Sequence, residues 1–172
     1  VHGPKDAEDL NNMYKAFCTK PTKLMIVAHP DDELIFGGSV LIEDNSWRVI
    51  CLTNKRDDKR RGGFEKVMRD LAIPEFEVYD LEDNLNVNLN DQELTGILNK
   101  EIHSQNWEKI ATHNSIGEYG HTHHHQIHNK VKELLNNSSK FWVFDKDISY
   151  NNPQVTSKKE QIFNNRYKSQ GD

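Results

Sequence analysis

Short apolar runs rich in β-forming residues alternate along this chain with amphipathic helical stretches, and no other feature narrows its fold as much. Helical segments placed between successive β-rich segments serve as crossovers, so the alternation predicts an α/β domain with a largely parallel sheet. Five strands are expected: Lys23 to Ala28, Trp47 to Thr53, Phe76 to Leu81, Trp107 to Thr112 and Phe141 to Phe144. The first, KLMIVA, is a nearly continuous apolar run, as required of a central strand covered on both faces. Phe64, Val67, Met68 and Leu71 recur at helical spacing, as do Leu94, Ile97, Leu98 and Ile102, and both stripes read as core. Residues 1–20 read as a leading helix with Leu10, Met13, Tyr14 and Phe17 on one face, packed on the sheet and ending before Pro21. The NLNVNLN run from Asn84 to Asn90 is expected to be a loop. Beyond Asp145 the chain is polar: Asn151-Asn152-Pro153 marks a turn, and a lysine-rich last helix follows. A length of 172 residues then makes one domain, 1–172, with residues 146–172 as its polar C-terminal segment.

Composition excludes some functions. A net charge of −5, with the basic cluster Lys55, Arg56, Lys59, Arg60 and Arg61 interrupted by Asp57 and Asp58, argues against a nucleic-acid partner. No apolar stretch approaches the roughly 18 residues that span a bilayer, and Val1-His2-Gly3-Pro4-Lys5 does not read as a signal peptide. Cys18 and Cys51 form no disulfide framework and no CxxC pair, so free thiols, a reducing compartment and a cytoplasmic location are the expectation.

Chemistry concentrates in two places. Ala28-His29-Pro30-Asp31-Asp32-Glu33 directly follows the most hydrophobic strand, and in open α/β sheets functional groups collect at the carboxyl ends of strands. His29 and Asp32 supply an imidazole and a carboxylate in chelating spacing, with Pro30 stiffening the turn and Asp31 left over to take a proton from water. The alternative is a helix start at which Asp31, Asp32 and Glu33 favour the dipole and cap the first turn. The second place is residues 117–128, which follow the fourth strand and hold five of the nine histidines. Such a stretch can be a solvated helix start or an adventitious metal binder. On a helix, however, His121, His124, His125 and His128 share a face. With a strand order of 3-2-1-4-5, strands 1 and 4 are neighbours at the switch point, and both motifs open onto one crevice. Two histidines and a carboxylate with open positions describe a catalytic divalent-metal site better than a closed structural one.

The strand followed by His-Pro-Asp-Asp-Glu (His29 to Glu33) and the later Gly-His-x-x-His (Gly120 to His124) resemble the two defining motifs of the LmbE-like, or PIG-L, family of zinc-dependent N-acetylglucosaminyl deacetylases. The resemblance runs from about Lys23 to Tyr167-Lys168-Ser169-Gln170, which looks like the family's closing Tyr-x-Ser-Gln. It implies a Rossmann-like three-layer sandwich and hydrolysis of the N-acetyl group of an N-acetylglucosamine-type sugar or glycoconjugate, releasing acetate and a free amino sugar. By position it implies that His29, Asp32 and His124 bind Zn2+, with Fe2+, Mn2+ or Co2+ also compatible with that donor set. Asp31 would be the general base, and His121 would stabilise the oxyanion and protonate the departing amine. Tyr119 would bind substrate and polarise the amide carbonyl, and Arg60 or Arg61 would grip the substrate, although Gly63 stands where family members hold an acidic residue.

Many bacterial members carry Asp between the two histidines, a carboxylate that can tune the catalytic one, and others carry Asn; here the residue is His123. His123, His125 and His128 also have a reading as helix-surface residues. The competing functions are a metal-bearing glycan-binding module that keeps the fold without turnover and a nucleotide-binding α/β domain. The second is disfavoured because no Gly-x-Gly-x-x-Gly follows the first strand.

Overall fold

A computed structural model describes residues 6–145 and 152–168 of the chain. In chain order the elements are α1 (Ala7–Cys18), β1 (Lys23–Val27), α2 (Asp32–Glu43), β2 (Trp47–Thr53), α3 (Asp58–Asp70), β3 (Glu75–Leu81), α4 (Asp91–Ile102), β4 (Lys109–Thr112), a short turn α5 (Gly117–Gly120), α6 (Thr122–Leu135), β5 (Phe141–Val143) and α7 (Pro153–Arg166). All five strands pair in parallel in the order β3-β2-β1-β4-β5, the expected one. β1 lies in the middle and all but its first residue is buried, which is why its sequence is apolar without alternation.

Side chains alternate across the sheet and build one core on each face. Met25, Val27, Val49 and Cys51 point to a layer formed by Leu34, Leu41, Phe64, Met68 and Ile162, from α2, α3 and α7. Leu24, Ile26, Ile50 and Leu52 point to the opposite layer, where Leu94, Leu98, Ile127 and Val131 come from α4 and α6. The result is a three-layer sandwich whose crossovers all leave from one edge, the carboxyl ends of the strands.

Two expectations need correction. The leading helix does not reach the sheet: α1 buries none of its residues, Leu10, Met13, Tyr14 and Phe17 are exposed, and Asn12 Nδ2 donates to Asp70 O at the end of α3 at 3.3 Å. Both sheet faces are already covered, so no apolar surface is left there for α1. The fourth strand begins at Lys109 rather than at Trp107. The Trp107 ring is buried below the strand, and its Nε1 donates to Glu101 O at 2.9 Å, an apolar plug with one satisfied polar atom. Asn152 caps α7, its side chain accepting from Gln154 N and Val155 N with Pro153 in the first turn, whereas Asn151 lies outside the described residues. The Asn84 to Asn90 run is a loop, and Asn90 caps α4 by accepting from Glu93 N at 2.9 Å.

Candidate metal centre and active site

The chain leaves β1 and turns at once. Asp32 N donates to His29 O, and Leu34 N and Ile35 N donate to Asp31 O, so α2 starts on the second residue after Pro30. Asp31 stands at the N-cap position but makes no side-chain capping bond, and its φ of 126° and ψ of −31° are unusual for a residue with a side chain. A backbone held there costs about 1–3 kcal/mol and persists only when its surroundings enforce it. Here Asp31 N donates to Glu33 Oε2 at 3.0 Å, while Tyr167 OH, just past α7, donates to Glu33 Oε1. Burial pushes Glu33 up to about 8, against these two hydrogen bonds, which favour its charged form. The acidic run therefore does not act as a set of caps. Asp32 turns back to accept from His29 N at 2.9 Å, and Asp31 keeps its carboxyl for the crevice.

Facing this turn, β4 ends at Thr112 and is followed by α5 and α6. Gly117 has φ of 62°, and a Cβ there would stand 3.1 Å from the His125 ring, so glycine allows the chain to fold back onto α6. Glu118, buried, then receives His113 Nδ1 at 3.1 Å and His124 Nδ1 at 3.0 Å on its two oxygens. Burial opposes its charge, but these two hydrogen bonds outweigh it and bring Glu118 down to about 2.

Three donor atoms from the two segments converge. His29 Nδ1 is 3.3 Å from Asp32 Oδ2, His124 Nε2 is 3.1 Å from the same oxygen, and the two nitrogens are 3.4 Å apart. Donors bound tetrahedrally to a divalent ion at about 2.0–2.1 Å stand about 3.3–3.4 Å from one another, so this triad fits one zinc-sized ion. The opposite ring nitrogens carry outer hydrogen bonds, His124 Nδ1 to Glu118 and His29 Nε2 to His123 Nδ1 at 3.0 Å, the usual support of ligating histidines. Two other groupings bring three side chains together, His29 with His121 and His123, and His113 with Glu118 and His124. In the latter, His113 Nε2 already accepts from Ala28 N at 3.0 Å and both Nδ1 atoms are engaged with Glu118, so its donors are committed.

Charge balance in this pocket follows from contacts. Burial opposes ionisation of Asp32, yet hydrogen bonds from His124 and His29 hold its carboxyl far below the usual range. Burial likewise opposes a charged His29, and the hydrogen bonds to Asp32 and Asp83 win, raising it to about 9. Asp31 is raised to about 6, first by burial and then by the negative charge of Asp32. His121 is lowered to about 4 by burial and by the imidazoles of His29, His124 and His123. Its ring lies 4.7 Å from that of His29 and 4.6 Å from that of His124, and its Nδ1 accepts from His123 N at 3.2 Å. A neutral imidazole whose Nδ1 accepts must carry its proton on Nε2, so His121 presents an N–H donor.

Tyr119 stands at the mouth, exposed, its ring stacked on Phe36 at 6.5 Å and edge-on to His124 at 5.5 Å. Arg60 reaches the rim, its Nη2 donating to Pro30 O and its Nη1 to Asp83 Oδ2. Arg61 turns away, to Lys55 O, Asp58 and Glu65. His123 and His128 are buried, contrary to a surface reading: His128 Nδ1 bonds His113 O at 2.8 Å, and His123 faces His29. His125 is partly buried beside Gly117. Sequence reasoning missed Asp83, His113 and Glu118. His113 and Asp83 follow the ends of β4 and β3 closely, as His29 follows β1, and that position was the available signal.

The family model described as GlcNAc-PI de-N-acetylase, PIG-L, matches residues 24–135, from β1 to the end of α6. The chain belongs to the PIG-L family. The match contains the triad, Asp31, Tyr119 and His121; Tyr167 lies beyond it, and Ser169 and Gln170 lie outside the described residues. The chain is also similar to an uncharacterized protein, L374, of Acanthamoeba polyphaga mimivirus, 37% identical over 162 residues that cover 84% of this chain and 68% of that protein. No solved structure matches the chain. As a PIG-L family member it has a five-stranded parallel sheet of the LmbE-like kind, and among the described residues no helix is long and apolar enough to cross a membrane.

Proposed function

We propose that this PIG-L family chain is a metal-dependent deacetylase that hydrolyses the N-acetyl group of an N-acetylglucosamine-type sugar or glycoconjugate. The observation that carries this reading is the mutual spacing of His29 Nδ1, Asp32 Oδ2 and His124 Nε2, 3.1–3.4 Å, at the base of a crevice lined by a free carboxyl and a neutral imidazole. Zinc or a related divalent ion held by these three side chains would bring the pKa of a bound water toward about 7 and polarise a carbonyl.

The chain's own groups account for the remaining chemistry. Asp31, not used as a cap, takes a proton from the attacking water as the water oxygen bonds to the acetamide carbon. His121 Nε2–H donates to the carbonyl oxygen as negative charge develops there, which favours a neutral imidazole over one that must give up a proton. The carbon–nitrogen bond then breaks, and Asp31, with a pKa of about 6, returns the proton to the departing amine. Acetate and the free amino sugar leave. Tyr119 and Arg60, at the mouth and rim, are the side chains placed to hold the sugar; Arg61, tied to α3 and its loop, is the weaker candidate.

Incubation of the zinc-loaded protein with N-acetylglucosamine conjugates should release primary amine. Asp31→Asn should cost about 10²–10⁴-fold in rate with zinc content unchanged. Release at the wild-type rate by that variant would remove Asp31 from the mechanism. Zinc and sugar binding without amine release would favour a glycan-binding module of the same fold.

A further inference from the structure

His123 occupies the position between the two motif histidines; its ring packs 5.0 Å from that of His121, the residue a carboxylate there would tune, but its ring nitrogens hydrogen-bond elsewhere. It is fully buried and its two nitrogens each have a close partner: Nε2 is 2.7 Å from Val87 O, and Nδ1 is 3.0 Å from His29 Nε2, with Asp83 Oδ1 beyond hydrogen-bond distance of Nδ1 at 3.6 Å. A carbonyl oxygen only accepts, so His123 Nε2 must carry the proton, and in a neutral ring Nδ1 is then an acceptor. His29 Nε2 is accordingly the donor of the second bond. In the neutral ring that ligation of an ion requires, the lone pair of His29 is then left on Nδ1, the atom that faces Asp32 Oδ2 and His124 Nε2. Asp83 Oδ1 stands farther from His29 Nε2, at 3.4 Å, and the Asp83 carboxylate is shared with Asn54 and Arg60.

We propose that His123 is a positioning residue that selects the tautomer and ring orientation of His29 through a hydrogen-bond chain from His29 Nε2–H through His123 to the Val87 carbonyl. The inference rests on the reading of His29 as a metal ligand. It also gives the Asn-rich loop a role. Val87 lies on that loop, which is strapped to α6 a second time by Gln126, accepting from Leu89 N at 2.7 Å and donating to Leu89 O at 2.8 Å. The metal ligand on β1's end is thus set from a loop after β3 through a side chain of α6. His124 Nδ1 is supported by a carboxylate, Glu118, whereas His29 Nε2 has His123 Nδ1 at 3.0 Å as its nearest partner and the Asp83 carboxylate farther off at 3.4 Å.

Zinc affinity measured by chelator competition tests the chain, with the visible spectrum of the cobalt-substituted protein as a second readout. His123→Ala removes both hydrogen bonds and should weaken zinc binding about 10–100-fold. His123→Asn places an acceptor near the former Nδ1 and should restore affinity to within about threefold and restore the cobalt spectrum; His123→Gln, which reaches only toward Val87, should behave as Ala. A purely structural role would show the same loss in Ala and Asn, tracking the melting temperature of the ion-free protein. Unchanged affinity in His123→Ala, while His29→Ala loses binding, overturns the role of His123 alone. Two zinc ions per chain, one of them lost in His123→Ala, would overturn it by making His123 a ligand with His29 and His121. Wild-type protein that takes up no zinc, or His29→Ala binding it as tightly as wild type, overturns the metal reading itself and the His123 role with it.

Discussion

At the scale of single residues, the crevice separates chemically similar side chains by what each one touches. Asp31 and Asp32 are adjacent in sequence, yet one carboxyl is held ionised by two histidines while the other is pushed up to about 6 by burial and by its neighbour's charge. Environment, not residue type, divides them into a carboxylate held ionised and one that protonates near neutrality, as the proposed roles of ligand and base require. The histidines divide in the same way. His124 and His29 are backed by acceptors on the nitrogen turned away from the triad, whereas His121 receives a backbone N–H on Nδ1 and keeps Nε2–H for the crevice. His121→Ala should therefore lower kcat by about 10²–10³-fold, the usual worth of one oxyanion donor, with zinc stoichiometry still one per chain. A variant that lost its zinc in step with its activity would make His121 a ligand instead.

Between elements, the sheet is braced by a polar network on the side away from the crevice. Glu101 on α4 is buried, Arg48 on β2 grips it with Nε at 2.8 Å and Nη2 at 3.0 Å, and Tyr79 OH on β3 donates to it as well. Burial opposes the charge of Glu101, but Arg48 and Tyr79 outweigh it and lower the carboxyl below its usual 4.5. Because the folded pKa is depressed, this stabilisation is whole above about pH 4.5 and is lost as pH falls through the lower folded value. Glu101→Gln should cost about 2–3 kcal/mol near neutral pH, less than the roughly 3–5 kcal/mol of a fully buried pair because Arg48 is partly exposed. Urea unfolding of both proteins should show that difference shrinking below pH 4, and a cost independent of pH would place the loss in packing rather than charge. At the crevice side, α7 acts over a distance in sequence: Tyr167 holds Glu33, and Glu33 holds the Asp31 amide in its positive-φ conformation.

Across the whole molecule, two cores on the two faces of one sheet leave α1 outside, lying along α3 with its apolar residues in solvent; Phe17 is 89% exposed. Replacing Leu10, Met13, Tyr14 and Phe17 with polar residues should change unfolding free energy by no more than about 0.5 kcal/mol each, as for other surface positions. Losses of several kcal/mol by calorimetry would mean that this face is covered in the folded protein. Periodicity had placed these residues on one helix face correctly; which surface that face meets depends on whether the sheet has room, and periodicity carries no such information. What the sequence by itself determined is the alternation of strands and helices, the central place of β1 and the two motifs at the strand ends, because burial on both sides of β1 and the chemistry of the His-Pro-Asp-Asp-Glu turn are written in local residue types. What only the tertiary structure decided is which atoms meet: that a His123 ring nitrogen hydrogen-bonds His29, that Arg60 rather than Arg61 reaches the rim, and that Glu118, His113 and Asp83 join the crevice. Those partners come from separate loops at one edge of the sheet, and their side-chain directions follow from backbone turns such as those at Gly117 and Asp31, which hydrophobic pattern does not encode.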